Sequence, residues 1–226
     1  MNTQNSFSGA SWYELAKKQT VLIIGLGGVG SWLSLFLSRI GCDIVTFDFD
    51  TVEERNIGGQ LYGIEQLNKT KEEAIADVLA NFTGKTVVSE GKYEKDSVDH
   101  HIVFCCADDM DIRKLSFEKW KKYSETITDE EVIPIFFEAR MQMEYLEVYS
   151  VIKGRNEENY IKTLFPNDEA AELVCNIKAT SHTGAITASM MTQEFINHVT
   201  NCKNKSNERE VPEKLVFLNQ LMLLEL

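Results

Sequence analysis

The sequence predicts an α/β fold, a three-layer domain around a mixed, mostly parallel sheet. Three observations predict it. Short β-branched runs alternate with helical stretches through the first half of the chain. The runs are continuously apolar, as strands buried on both faces are. A glycine-rich turn separates the first strand from the first helix. A chain of 226 residues suits one large domain with a substantial core and is short for two of ordinary size.

Residues 21–24 (VLII), stopped by Gly25, are the first strand and residues 43–47 (DIVTF) the second, with an apolar helical stretch over residues 31–40 between them. This β-α-β unit implies a parallel pair with a right-handed crossover and a ligand site at the carboxyl ends of the strands. Thr70-Lys71-Glu72-Glu73 reads as a capping box opening a helix to about Asn81, and residues 86–88 resume extended structure. Residues 101–106 (HIVFCC) form a buried strand that ends at Ala107-Asp108-Asp109 and leads into a helix through Trp120. Residues 133–137 and 145–152 are strands close in sequence, so the sheet turns antiparallel there. Residues 157–177 are polar and irregular, with a turn at Phe165-Pro166-Asn167-Asp168. Residues 183–199 carry small and apolar residues suited to close helix packing, and are, with the apolar tail, the candidate subunit interface. The single domain thus has an N-terminal extension (1–18), a charged linker (203–213, KNKSNEREVPE) and an apolar C-terminal hairpin (214–226) that packs on the sheet or on another subunit.

Lys and Arg number 23 against 35 Asp and Glu, and the net charge of −12 opposes binding to nucleic acid or to anionic lipid. A small anionic ligand must therefore be held by local devices. The polar opening MNTQNSFSGASWYE lacks the pattern of a signal peptide, and no stretch reaches membrane-spanning length. Five cysteines (Cys42, Cys105, Cys106, Cys175 and Cys202), an odd number without an export signal, indicate reduced thiols and a cytoplasmic setting. There is no C-x-x-C pair, so zinc is not expected.

The strongest local signal is Gly25-Leu26-Gly27-Gly28-Val29-Gly30-Ser31, a G-x-G-x-x-G between a strand and a helix. There its amides and the helix N-terminus can face a phosphate. The alternative is a plain tight turn. Asp48, which ends the second strand twenty positions after Gly28, favours the nucleotide, because a carboxylate there accepts both ribose hydroxyls. The unit is Rossmann-like.

The run VLIIGLGGVGS followed by Asp48-Phe49-Asp50-Thr51-Val52, then Asn56 and Gln60, resembles the ThiF/MoeB/HesA family of ubiquitin-activating-enzyme-like adenylating domains. The resemblance is good over residues 21–113 and weak over 175–199. It implies an enzyme, a homodimer, that uses ATP and Mg²⁺ to adenylate the C-terminal carboxylate of a small ubiquitin-like or sulfur-carrier protein or a peptide, with release of pyrophosphate. It implies that Gly25, Gly27, Gly28 and Gly30 cradle the nucleotide, that Asp48 holds the ribose, that Asp50, Asn56 and Gln60 line the pocket, and that Lys71 meets the phosphates. Lys71 has independent support: a lysine in the first turn of a helix opposes the helix dipole, by up to about 1 kcal/mol, and a bound anion would offset that cost. Its alternative is a solvated surface lysine. Cys106-Ala107-Asp108-Asp109-Met110-Asp111-Ile112-Arg113 is similar to the family's C-T-D-N-x-x-x-R, which makes Asp108 the magnesium ligand. The alternative is a helix N-cap by Asp108 or Asp109.

Two departures from the family pattern bear on turnover. Asn56-Ile57-Gly58-Gly59-Gln60 has glycine where the family's N-x-x-R-Q has arginine, and residues 6–18 contain no counterpart of its N-terminal R-Y-x-R-Q-like element. Arg55 and, better placed at the end of an apolar strand, Arg140 are the compensating candidates. An ion pair of Arg140 with Glu138 or Glu144 is the alternative. Cys175 falls where some relatives carry a thiol, with Lys178 and the helix start near Thr183 to lower its pKa and His182 as base; the alternative is a buried structural cysteine. Three functions stay open: adenylyl transfer, a catalytically impaired nucleotide-binding interaction module, and, more weakly, an NAD-dependent oxidoreductase.

Overall fold

In the computed structural model the β-branched runs become strands and the stretches between them helices; it describes residues 9–129, 132–142, 145–167, 180–203 and 208–218. The strands are β1 (Thr20–Ile24), β2 (Asp43–Phe47), β3 (Val88–Ser89), β4 (Ile102–Cys105), β5 (Ile135–Gln142), β6 (Tyr145–Ile152) and β7 (Lys214–Leu218). They form one sheet in the order β3-β2-β1-β4-β5-β6-β7. Pairings from β3 through β5 are parallel, and β6 and β7 join antiparallel. The helices are α1 (Tyr13–Ala16), α2 (Gly30–Ile40), α3 (Lys71–Thr83), α4 (Met110–Thr126), α5 (Glu157–Ile161) and α6 (Ser181–Lys203).

Successive strand residues face opposite helical layers. Val21 and Ile23 of β1, Phe104 of β4 and Phe137 of β5 pack with α2, α3 and α6. Leu22, Ile24, Val103 and Phe136 pack with Phe117 and Trp120 of α4 and Tyr160 of α5. Burial on both faces explains why these strands read as unbroken apolar runs. The strand order reverses between β1 and β4, which opens a crevice at their carboxyl ends.

Capping fixes the helices at that end. Thr70 and Glu73 form the expected reciprocal box at the start of α3, whose end is set by Gly84 at φ 69°. Asp109, not Asp108, caps α4 by accepting from the amides of Asp111 and Ile112. Alone among these three, α2 begins without a side-chain cap.

In the second half the structure adds three details to the sequence reading. The candidate interface helix is longer than residues 183–199, and Thr183, Gly184, Thr187, Ala188 and Met191 are buried within this chain as α6 packs on α2, β5 and β6. The presumed linker is strapped to α6: Asn197 donates to the Glu210 carbonyl, and Asn201 exchanges two hydrogen bonds with Arg209. Residues 214–218, the start of the expected C-terminal hairpin, pair with β6 in the main sheet, and residues 219–226 lie outside the described residues. No described helix is long and apolar enough to cross a membrane.

Candidate functional site

The glycine turn connects β1 to α2 at the carboxyl end of the parallel strands. Gly25 has φ +88°, a left-handed conformation, and a Cβ there would sit 2.9 Å from the Cys106–Ala107 backbone. A Cβ on Gly30 would lie 1.9 Å from the Gly25 carbonyl oxygen, and one on Gly184 2.2 Å from the Gly28 carbonyl oxygen. Those glycines let the turn close on itself and let α6 seat against it. Gly27 is different, for nothing lies within 4 Å of a Cβ placed there. Among the described residues, the amides of Gly27, Gly28 and Val29 find no protein acceptor. An uncapped helix start with open amides is what an anionic group would need.

Asp48, Asp50 and Lys71 converge beside this turn. Asp48 Oδ2 accepts from the Leu26 amide at 2.7 Å and Oδ1 from the Asp50 amide at 2.8 Å. A carboxylate has about four acceptor positions, so two remain for a ribose diol. Lys71 Nζ lies 2.6 Å from Asp50 Oδ2 and 3.6 Å from Asp48 Oδ2, and the lysine is only 7% exposed. A buried ammonium costs several kcal/mol unless paired, and the two carboxylates supply that pairing. Burial raises the Asp48 carboxyl above its ordinary value, against the opposing effects of Lys71 and the two amides. Tyr62, which carries no motif, donates to the Leu26 carbonyl at 2.8 Å and so braces the turn from below.

Asn56 and Gln60 lie on the loop that follows β2. Asn56 Oδ1 accepts from the Glu53 amide, and the loop docks on α2 where the Leu61 amide donates to Ser31 Oγ at 3.1 Å. Gln60 Oε1 is buried and has no hydrogen-bond partner among the described residues. It lines a cleft of about 520 Å³ together with Trp32, Ile57, Leu61 and Phe82. Among the described residues that cleft has no charged group in its walls, and the glycine turn, Asp48, Lys71 and Asp108 are not part of its lining. Arg55 is paired with exposed Glu53.

Asp108 follows the strand that touches the glycine turn, since the Cys106 amide donates to the Ile24 carbonyl at 2.7 Å. Its neighbours are pinned: Arg113 Nε donates to the Ala107 carbonyl at 3.0 Å, and Asp109 is used in capping. Asp108 itself is exposed, and no side-chain hydrogen bond or ion pair engages it among the described residues. No group of three His, Cys, Asp or Glu side chains suited to holding a metal occurs among them. One free carboxylate would suit Mg²⁺ brought by a polyphosphate, since that ion keeps several waters and takes phosphate oxygens as ligands.

Arg140 goes elsewhere. It grips fully buried Glu138 with Nε at 2.6 Å and Nη2 at 3.0 Å, donates to the Thr163 carbonyl at 2.8 Å, and stacks 4.6 Å above the Tyr149 ring. Tyr160 also donates to Glu138, and Arg113 lies 3.4 Å away. This hub was signalled only by a charged residue inside an apolar strand. Cys175 and Lys178 lie outside the described residues, and His182 is near the start of α6. Among the described residues, Cys42, Cys105, Cys106 and Cys202 form no disulfide.

Fold and site together define a Rossmann-like α/β protein with a polar cluster at the carboxyl edge of its parallel strands. The chain belongs to the ThiF family, whose model matches residues 2–223. It is 32% identical over 94 residues to ubiquitin-like modifier-activating enzyme 5 of Bombyx mori, 41% of this chain and 24% of that protein. Escherichia coli MccB solved with ATP superposes at a TM-score of 0.66 and 15% identity, over 85% of this chain and 60% of MccB. MccB solved with MccA gives 0.70 and 15%, over 92% and 62%. The chain thus spans about a quarter of that enzyme's length and under two thirds of MccB's.

Proposed function

We propose that this chain is an ATP-dependent adenylyltransferase that activates the C-terminal carboxylate of a small ubiquitin-like or sulfur-carrier protein, or of a peptide, acting in the cytoplasm as a homodimer. One observation carries the reading: the buried Lys71 ammonium lies beside Asp48, at the same sheet end as the open glycine-turn amides and the free Asp108 carboxylate. Membership of the ThiF family, and the names of the relatives, support it.

A carboxylate oxygen of the acceptor attacks the α-phosphorus of ATP, a new P–O bond forms, and the bond to the β-phosphate bridging oxygen breaks as pyrophosphate leaves. The acceptor is already ionised at neutral pH, so no protein base is required. The chain's work is electrostatic and positional. The amides of Gly27 to Val29 receive phosphate oxygens, Asp48 orients the ribose, and Lys71 exchanges Asp50 for phosphate. Mg²⁺ held by Asp108 would neutralise part of the triphosphate charge.

A second reading, a nucleotide-binding interaction module with impaired catalysis, is favoured by one feature: Gly59 supplies no cation, and Arg55 and Arg140 are both engaged in ion pairs. Pyrophosphate exchange separates the two. Incorporation of labelled pyrophosphate into ATP, dependent on Mg²⁺ and on a carrier protein or peptide, is expected of the enzyme. ATP binding by calorimetry without any exchange across a panel of such acceptors selects the module. Binding of NAD⁺ in preference to ATP excludes both.

A further inference from the structure

Three carboxylates, Asp108, Asp109 and Asp111, fall within four residues at the start of α4. Left alone they would repel one another and compete for the same cation, although the helix N-terminus relieves part of the repulsion. Only Asp108 is left unengaged, and the residue that divides the three comes from far along the chain. Asn167 Oδ1 accepts from the Met110 amide at 2.8 Å, while its Nδ2 donates to Asp111 Oδ2 at 2.9 Å and to Asp109 Oδ1 at 3.3 Å.

We infer that Asn167 is a positioning residue for Asp108: it holds Asp109 and Asp111 in structural bonds and so leaves a single uncommitted carboxylate, on an anchored backbone, for the magnesium that a bound nucleotide would bring. The inference rests on the proposed nucleotide site. The position needs an acceptor for a helix N–H and a donor for two anions at once, without adding charge. Only a side-chain amide offers that combination at this length. Ionised aspartate lacks the donor, and lysine lacks the acceptor. Around Asp108 every backbone neighbour is then tied down: Cys106 to Ile24, Ala107 to Arg113, Met110 to Asn167. The segment leading to Asn167 is anchored too, because Arg140 donates to Thr163 through Nη1 and Nη2 and lies 5.8 Å from the Phe165 ring.

The test reads metal affinity rather than turnover. ATP binding to the full chain is followed by calorimetry at increasing Mg²⁺ and again with the metal chelated, with thermal melting as the check on folding. Asn167→Ala is expected to raise the Mg²⁺ concentration at half-effect by about tenfold, as loss of an outer-shell partner does, and to leave metal-free ATP affinity within about twofold. Asn167→Asp is expected to be worse, and Asn167→Asp with Asp111→Asn, which restores one donor facing one acceptor at unchanged net charge, to recover most of the loss. Should Asn167→Ala fail to fold, Asn167→Ser, which keeps one hydroxyl as donor and acceptor, takes its place. A folded variant with wild-type Mg²⁺ dependence overturns the inference, as does an equal loss of metal-free affinity, which marks a structural role alone. Wild-type protein whose ATP binding ignores Mg²⁺ overturns the metal reading itself, a different failure.

Discussion

Lys71 Nζ sits 2.6 Å from Asp50 and 3.6 Å from Asp48, so the cation that the proposed reaction assigns to the phosphates is held by two carboxylates just after β2. Lys71→Ala strips Asp48 of its counter-ion where that side chain is 7% exposed. The expected cost is about 3 kcal/mol of stability by urea titration, with loss of ATP affinity by at least about tenfold. Asp50 is half exposed, and its pair with Lys71 is worth about 1 kcal/mol at most. If Asp50 only competes for Lys71, Asp50→Asn tightens ATP binding by up to about fivefold. Weaker binding would instead mean that Asp50 touches the nucleotide.

Gly27 and Gly30 separate ligand approach from chain closure within one turn. Alanine at 30 would drive a methyl to 1.9 Å from the Gly25 carbonyl oxygen, and the turn must open, at about 3 kcal/mol. Alanine at 27 meets nothing within 4 Å, so melting should move by no more than a few degrees. If a phosphate fills the open space beside Gly27, the methyl displaces it, and ATP affinity should drop by about tenfold or more. Unchanged affinity in folded Gly27→Ala would place the phosphates elsewhere.

The sequence pattern carried the local devices and missed the long-range ones. The glycine turn, Asp48, the Thr70–Glu73 box and the buried runs are readable because each is a spacing of a few residues with its own physical cause. Tyr62 bonding Leu26 across 36 positions and Asn167 bonding Asp109 across 58 leave no local pattern. The ambiguity between Asp108 and Asp109 as cap turned on backbone geometry that neighbouring residues do not encode. For Arg140 the sequence leaves a phosphate contact and an ion pair with Glu138 or Glu144 both open, and the Glu138 pair with its bonds to Thr163 emerges only in three dimensions. The candidate interface on α6 reads the same whether its small residues meet α2 or a second copy. Its closeness to Gly28, through Gly184, is visible only in three dimensions.

Glu138 has no exposed surface and is shared by Arg140, Tyr160 and Arg113. Removing one partner of such a hub is costly because the remaining charge stays buried. Arg140→Ala is expected to lower stability by about 3–5 kcal/mol, while the folded fraction binds ATP as the wild type does. A tenfold rise in the ATP dissociation constant at a temperature where the variant is fully folded would restore Arg140 as a phosphate ligand.

His198, 4% exposed on α6, donates through Nε2 to the Ile133 carbonyl at 2.7 Å, and burial lowers its pKa from 6.5 to about 4. Above pH 6.5 neither the folded nor the unfolded chain carries this proton, so stability does not respond. Between 6.5 and about 4 the unfolded chain takes up a proton that the folded one refuses, and stability falls with pH, by about 3 kcal/mol over the full window. His100, lowered to about 4 by burial and by His101, adds in the same direction. Glu194, raised by burial and by Glu210 to about 7, opposes them, because the folded state then holds the extra proton between its ordinary value of 4.5 and 7. The His198 contribution is therefore isolated by difference. His198→Gln keeps an N–H for Ile133 and cannot titrate. Urea titrations at pH 7.5 and 4.5 should show a stability loss on acidification smaller than the wild type's by about 2–3 kcal/mol. Equal losses in the two proteins would mean that His198 takes up its proton in the folded chain as readily as in water, at odds with a ring enclosed between α6 and the start of β5.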